Sequence, residues 1–175
     1  MKSITSGGIF MCFKNDKNGR EKDGQAIPEE LNMIAKNEFA SFIREKRREY
    51  NELHHEQLTT RKMAIILGLN ESSFPKILNR ERPTKRRDLI IAIGILLELF
   101  PGELSEALRL YGMPELEDPR KLSGEDVDRD RVISKLLIRN NSQICSFSIE
   151  ECNRRLIENG FAPLAICAEN HKNGT

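Results

Sequence analysis

The residue types that could carry covalent or metal chemistry are few, and their spacing does not suit it. The chain has four cysteines, Cys12, Cys145, Cys152 and Cys167, and three histidines, His54, His55 and His171. None of the cysteines forms a C-x-x-C pair, and no zinc-ligand spacing emerges with the histidines. Reduced thiols, some of them buried, are therefore expected. A redox pair of Cys145 and Cys152 is the alternative, and nothing in the spacing selects it. No Ser/His/Asp set, metal cluster or glycine-rich phosphate loop is present, and Gly7-Gly8 is too little for a nucleotide site. The expectation is a chain that is not an enzyme and needs no cofactor.

What remains is recognition chemistry, and charge locates it. Lys+Arg number 28 and Asp+Glu 27, a net charge of +1, which excludes an indiscriminate basic coat for nucleic acid. Divided along the chain, the balance is uneven. Residues 40–88 hold 12 basic and 7 acidic side chains, whereas residues 89–128 hold 3 and 9. With no Trp and only two Tyr, a platform of aromatics for stacking bases is not expected.

Inside the basic stretch lies Thr60-Arg-Lys-Met-Ala-Ile-Ile-Leu-Gly-Leu-Asn-Glu-Ser-Ser-Phe-Pro-Lys-Ile-Leu-Asn79. Two short helices that cross steeply need a small residue where they meet, and Ala64 is one. They need a residue that tolerates a left-handed turn, here Gly68. They need apolar plugs from the second helix, Phe74 and Ile77, with Met63, Leu67 and Leu69 completing the small core. That arrangement is a helix-turn-helix, and it leaves the outer face of the second helix free to enter a ~12 Å major groove.

The spacing resembles that of the phage repressor and Cro family of helix-turn-helix proteins, the XRE-type regulators. The resemblance covers about residues 37–100, with Phe39 to Glu52 as first helix and Arg87 to Leu99 as fourth. It implies that Glu71, Ser72 and Lys76 start the recognition helix and face base edges, with Pro75 also toward the groove. Glutamate accepts from cytosine N4, lysine donates to guanine O6 or N7, and serine does either. It implies phosphate contacts from Thr60 and Asn79, with Arg61, Arg80, Arg82, Lys85 and Arg86 close enough to add others. The bland readings are that Arg80, Arg82, Lys85 and Arg86 form a solvated face, and that Glu71 and Ser72 serve only the helix start.

Three features depart from the family pattern. Glu71 stands where Gln or Arg is common, and a carboxylate near phosphates is a penalty unless it meets a donor. Pro75 falls inside the expected recognition helix, where it removes an amide and would kink the chain at a cost approaching ~3 kcal/mol. Tyr50 to Thr59, including His54-His55, forms a longer connection than is usual.

The elements that must position these residues are helical throughout, with no alternating strand pattern. Residues 1–27 form a polar arm, residues 28–100 the helix-turn-helix domain, residues 101–168 a helical C-terminal region and residues 169–175 a tail. The fold class is all-α: a lambda-repressor-like bundle followed by a helical extension. Thr59 or Thr60, Asn70, Ser123 and Ser148 offer caps for helix starts, and Gly68, Gly112, Asn140-Asn141 and Gly160 offer stops. A repeat is embedded between residues 87–116 and 129–164. Arg87-Asp88-Leu89-Ile90-Ile91 matches Arg129-Asp130-Arg131-Val132-Ile133, and Leu108, Gly112 and Leu116 match Leu156, Gly160 and Leu164. Chance similarity between two amphipathic helix pairs would give the same match.

No apolar run reaches the ~18–20 residues of a membrane span, and Ile9 to Phe13 is short for a signal peptide, so a cytoplasmic chain is expected. The expected function is sequence-specific transcriptional regulation, by a homodimer that reads an inverted repeat in double-stranded DNA with half-sites about 34–36 Å apart. The C-terminal region would dimerise or take a protein or small-molecule effector. The rival is an adaptor that reuses a helix-turn-helix fold to bind protein.

Overall fold

A computed structural model of the chain describes residues 29–138 and 148–166, with side chains from Glu38 onward. Among the described residues it is all-helical, with seven helices and no strand. The arm of residues 1–27, the stop at Asn140-Asn141, Cys12, Cys145, Cys167, His171 and the tail lie outside the described residues. No described helix is long and apolar enough to cross a membrane.

Helix α1 spans Glu29–His54. It turns Phe39, Ala40 and Ile43 into the core. Half of the long connection expected from Tyr50 to Thr59 is helix, continuing α1 as far as His54, and its residues find partners on both sides of that end. Tyr50 stacks on His54 one turn on, with ring centroids 4.3 Å apart. Asn51 Oδ1 accepts the Leu58 amide at 2.7 Å, and Leu58 is buried. His54 Nε2 lies 3.2 Å from Glu98 Oε2. Only residues 55–59 remain to link α1 with the next helix.

Helix α2, Thr60–Ile66, begins at Thr59, whose side chain accepts the Lys62 amide. Ala64 is fully buried where the small residue is needed. The chain turns at Gly68, φ +64°, and Leu69 N donates to Ala64 O at 2.8 Å. Helix α3 is only Phe74–Leu78. Asn70 starts the turn that leads to it, with Oδ1 accepting from Ser72 N and its carbonyl accepting from Phe74 N. Proline has no amide to give the Glu71 carbonyl, so regular helix does not reach back to that residue.

Three expectations change here. Glu71 and Ser72 lie in the turn before α3, not in the helix. Pro75 sits in its first turn rather than in a helix interior, so the expected kink does not arise. Phe74 is fully buried, but Leu78 takes the second inward place and Ile77 is only partly buried.

Helix α4, Arg87–Leu96, is buried at every position from Leu89 to Ile95 and is the central rod of the molecule. An all-round apolar helix must be enclosed. Helix α5, Pro101–Tyr111, crosses it closely at Gly94, where an added Cβ would fall 2.6 Å from Leu104 Cδ1. α5 also packs on α1, through Phe39 against the Tyr111 ring at 4.7 Å edge-to-face and through Lys46 to Glu103 at 2.7 Å. Helices α6, Gly124–Leu137, and α7, Ile149–Glu158, start at Ser123 and Ser148, which accept amides from Asp126 and Glu151 as the sequence suggests. One continuous core runs from Phe39 to Leu164.

The pairs α4–α5 and α6–α7 share local geometry at the matched positions. Gly112 and Gly160 end α5 and α7 with φ +83° and +82°. Met113 N donates to Leu108 O, and Phe161 N to Leu156 O, both at 2.9 Å. The matched Arg-Asp dipeptides pair across the units, not within them. Arg87 holds Asp130 with Nη1 at 2.8 Å and Nη2 at 2.6 Å. Arg129 holds Asp88 with both Nη atoms at 2.9 Å. Each carboxylate takes one further amide from the opposite unit, Glu117 N on Asp130 and Ala165 N on Asp88. Each arginine also reaches a carbonyl of its own unit, Pro114 for Arg87 and Ala162 for Arg129. Fully buried Asp130 is thus satisfied by a guanidinium fork and an amide, as a buried charge must be.

Candidate nucleic-acid interface

The α1, α2 and α3 helices meet in a shallow cleft that gathers Arg44, Arg47, Thr60, Pro75 and Asn79 over Ala40, Ile43, Met63 and Leu78. Arg47 Nη1 donates to Thr60 Oγ1. A second, more open cleft continues from Arg47 and Thr60 past Gln57 to Arg61. Of the residues expected to touch DNA, Thr60, Pro75 and Asn79 are therefore brought together, with Arg61 adjoining. Arg44 and Arg47 were not singled out from the sequence. Their signal was available: they follow inward Ala40 and Ile43 by four residues, one helical turn later and toward the same side.

Glu71 and Arg61 meet each other. Arg61 Nε lies 2.6 Å from Glu71 Oε2, with both side chains well exposed. The Glu71 carboxylate thus has a cationic donor beside it, and the contact uses the guanidinium's Nε. Ser72 is exposed, with its hydroxyl 2.7 Å from Asn70 Oδ1. Asn79 is exposed and its amide reaches Glu81 at 3.4 Å. Lys76, Arg82 and Lys85 are exposed and form no ion pair among the described residues. Arg86 is exposed but donates to Ile166 O at 3.2 Å.

Arg80 is drawn inward. It follows α3 with φ +54°, its Nη1 donates to Leu110 O at 3.3 Å, and its guanidinium lies 5.3 Å from the centre of the Tyr111 ring. That cation–π contact and the half-buried site tie it to α5.

Tyr111 is the supporting residue that sequence reasoning missed. Its hydroxyl donates to Ile77 O at 3.4 Å and accepts Thr84 N at 3.0 Å. One phenol thus joins the end of α3 to the segment carrying Arg82, Lys85 and Arg86. Burial pushes the phenol pKa up, against the smaller opposing pulls of the Thr84 amide and the Arg80 charge. An apolar helix position four residues past Ala107 reads simply as core, so nothing in the sequence marks the hydroxyl's role.

Among the described residues no group of three or more His, Cys, Asp or Glu could hold a metal ion. Cys152 is fully buried against α4, and its thiol is pushed up to about 12, first by burial. No family model, no curated protein and no solved structure matches the chain.

Proposed function

We propose that the chain is a sequence-specific DNA-binding regulator that presents α3 to the major groove as a helix-turn-helix of the phage-repressor type, with two copies reading an inverted repeat. The observation that carries the reading is the uneven use of cations. Lys76, Arg82 and Lys85 stay exposed and, among the described residues, without ion pairs beside α3, and Arg44 and Arg47 converge with Thr60 and Asn79 in one cleft. Unpaired cations around a short helix suit phosphate neutralisation, while Lys76 and the Arg61–Glu71 pair offer donors and an acceptor to base edges.

Titrating salt against binding to random duplex tests the reading. A binding constant that falls steeply with salt is expected, and a slope near zero removes the proposal. An adaptor that binds protein is the second reading. It is favoured by Ile65 and Ile66, which stand 58% and 53% exposed on the outer side of α2. Selection from a random duplex pool separates the two, since an adaptor enriches no sequence.

A further inference from the structure

We propose that the face of α4–α5 beneath α6–α7 is a self-association surface, closed in the single chain by an internal counterpart of itself, and that its occupant when α6–α7 lifts is the α4–α5 unit of a second copy. The proposal does not depend on DNA binding.

The first argument is reciprocity. A two-fold contact requires that residue i of one partner meets j of the other while j meets i. Within one chain, Arg87 meets Asp130 and Arg129 meets Asp88, each through a bidentate fork. The α4–α5 unit owns both halves of this contact at adjacent positions. Arg87 of one copy can therefore take Asp88 of another in the place where it now takes Asp130. The backbone agrees: the Glu117 amide that now caps Asp130 can cap a second copy's Asp88 in the same way.

The second argument is the apolar floor. α4 is buried on all sides, and Leu108 and Leu116 of the first unit correspond to Leu156 and Leu164 of the second. These leucines all belong to one shared core, and α7 packs on α4, so the apolar side of α4 is closed by a unit that carries the same leucine spacing as its own. Without α6–α7, part of α4 would be left against water, which favours association.

The tether decides which partner wins. A unit on the same chain competes at an effective concentration of order mM, so at ~10 µM the internal unit holds the face and copies stay apart on it. Weakening the internal unit alone reverses that.

The experiment uses the full chain with Arg129→Asp and Asp130→Arg together. Arg87 then faces a cation and Asp88 an anion in cis, while the α4–α5 unit is unchanged. Exchange of α6–α7 between chains brings no relief, because the mismatch is the same in trans. Sedimentation at ~50 µM is expected to give the wild type near its chain mass of 20.1 kDa and the variant near twice that. Adding Asp88→Arg to the variant is expected to return it to a single chain. Reversing all four residues, with Arg87→Asp and Asp88→Arg included, restores the cis pairs and is also expected to stay single.

A variant that keeps amide protection in α4 and α5, loses it in α6, and still sediments as one chain overturns the proposal. So does a dimer that survives Asp88→Arg. Should the double reversal lose protection in α4 as well, Ile133→Glu lifts α6 by burying a lone carboxylate instead, and the same two outcomes are read.

Discussion

Arginines in two parts of this molecule have opposite fates. At the junction of the helix pairs, Arg87 and Arg129 are 16% and 13% exposed and each closes on an aspartate. Beside α3, Arg82 and Lys85 reach into solvent with no ion pair among the described residues, and Arg61 shares only its Nε with Glu71. The side chains are chemically alike. Burial and a bidentate carboxylate commit the first set to the fold, and the lack of both leaves the second set available to a ligand. Net charge over a segment therefore says little until each cation's partner is known. Arg80, Arg87 and Arg129 could all pass for phosphate ligands by type, yet all three point into the protein.

The sharpest way to break this contrast is to remove one member of the buried pair. Arg87→Met leaves the fully buried Asp130 carboxyl without its guanidinium partner, and should cost about 3–5 kcal/mol in urea unfolding. Arg129→Met should cost less, because Asp88 retains 18% side-chain exposure and water can replace part of the fork. Equal losses would mean that the two pairs are equivalent in burial.

Lys76→Ala should do the opposite. It should leave stability within ~0.5 kcal/mol, as an exposed substitution does, while altering sequence preference by about 1–3 kcal/mol at one base position. Equal losses on selected and random duplex would remove Lys76 from base reading. Tyr111→Phe tests the link between the two regions. Loss of the hydroxyl's bonds to Ile77 and Thr84 should cost about 1 kcal/mol in stability. It should also weaken binding to all duplexes by a similar factor. Arg82→Ala should lower the salt slope by about 1 with no change in preference.

The smallest effect is expected at Cys152. With its thiol pushed up to about 12 by burial, it should resist alkylation at pH 8 until the chain unfolds, as read by mass of its own peptide. Stability should respond to alkaline pH in the same sense. The unfolded chain ionises this thiol first, so its contribution is whole below the ordinary thiol range and fades as pH rises toward 12. Cys152→Ser should flatten that part of the alkaline profile.

Much of the helix layout was legible because caps act locally. Ser123, Ser148, Gly112 and Gly160 mark their helix ends through bonds that span a few residues. The repeated Arg-Asp dipeptide was legible as a pattern, but no pattern tells which unit's aspartate an arginine will find. The inward contacts of Arg80 are illegible for the same reason: its partners, Leu110 and Tyr111, lie some thirty residues away. The error over Pro75 was one of boundary. The proline is unfavourable only in a longer helix, and the chain makes α3 short enough to avoid that.

The Tyr111 hydroxyl has a consequence for where this chain can be cut. A fragment ending at Leu99 would keep every residue of the motif from Thr60 to Asn79 and every exposed cation around it. It would lose the ring under Arg80, the acceptor of the Thr84 amide and the edge contact with Phe39. A piece that keeps these three contacts must therefore include Tyr111, a full helix beyond the boundary that motif length alone would draw.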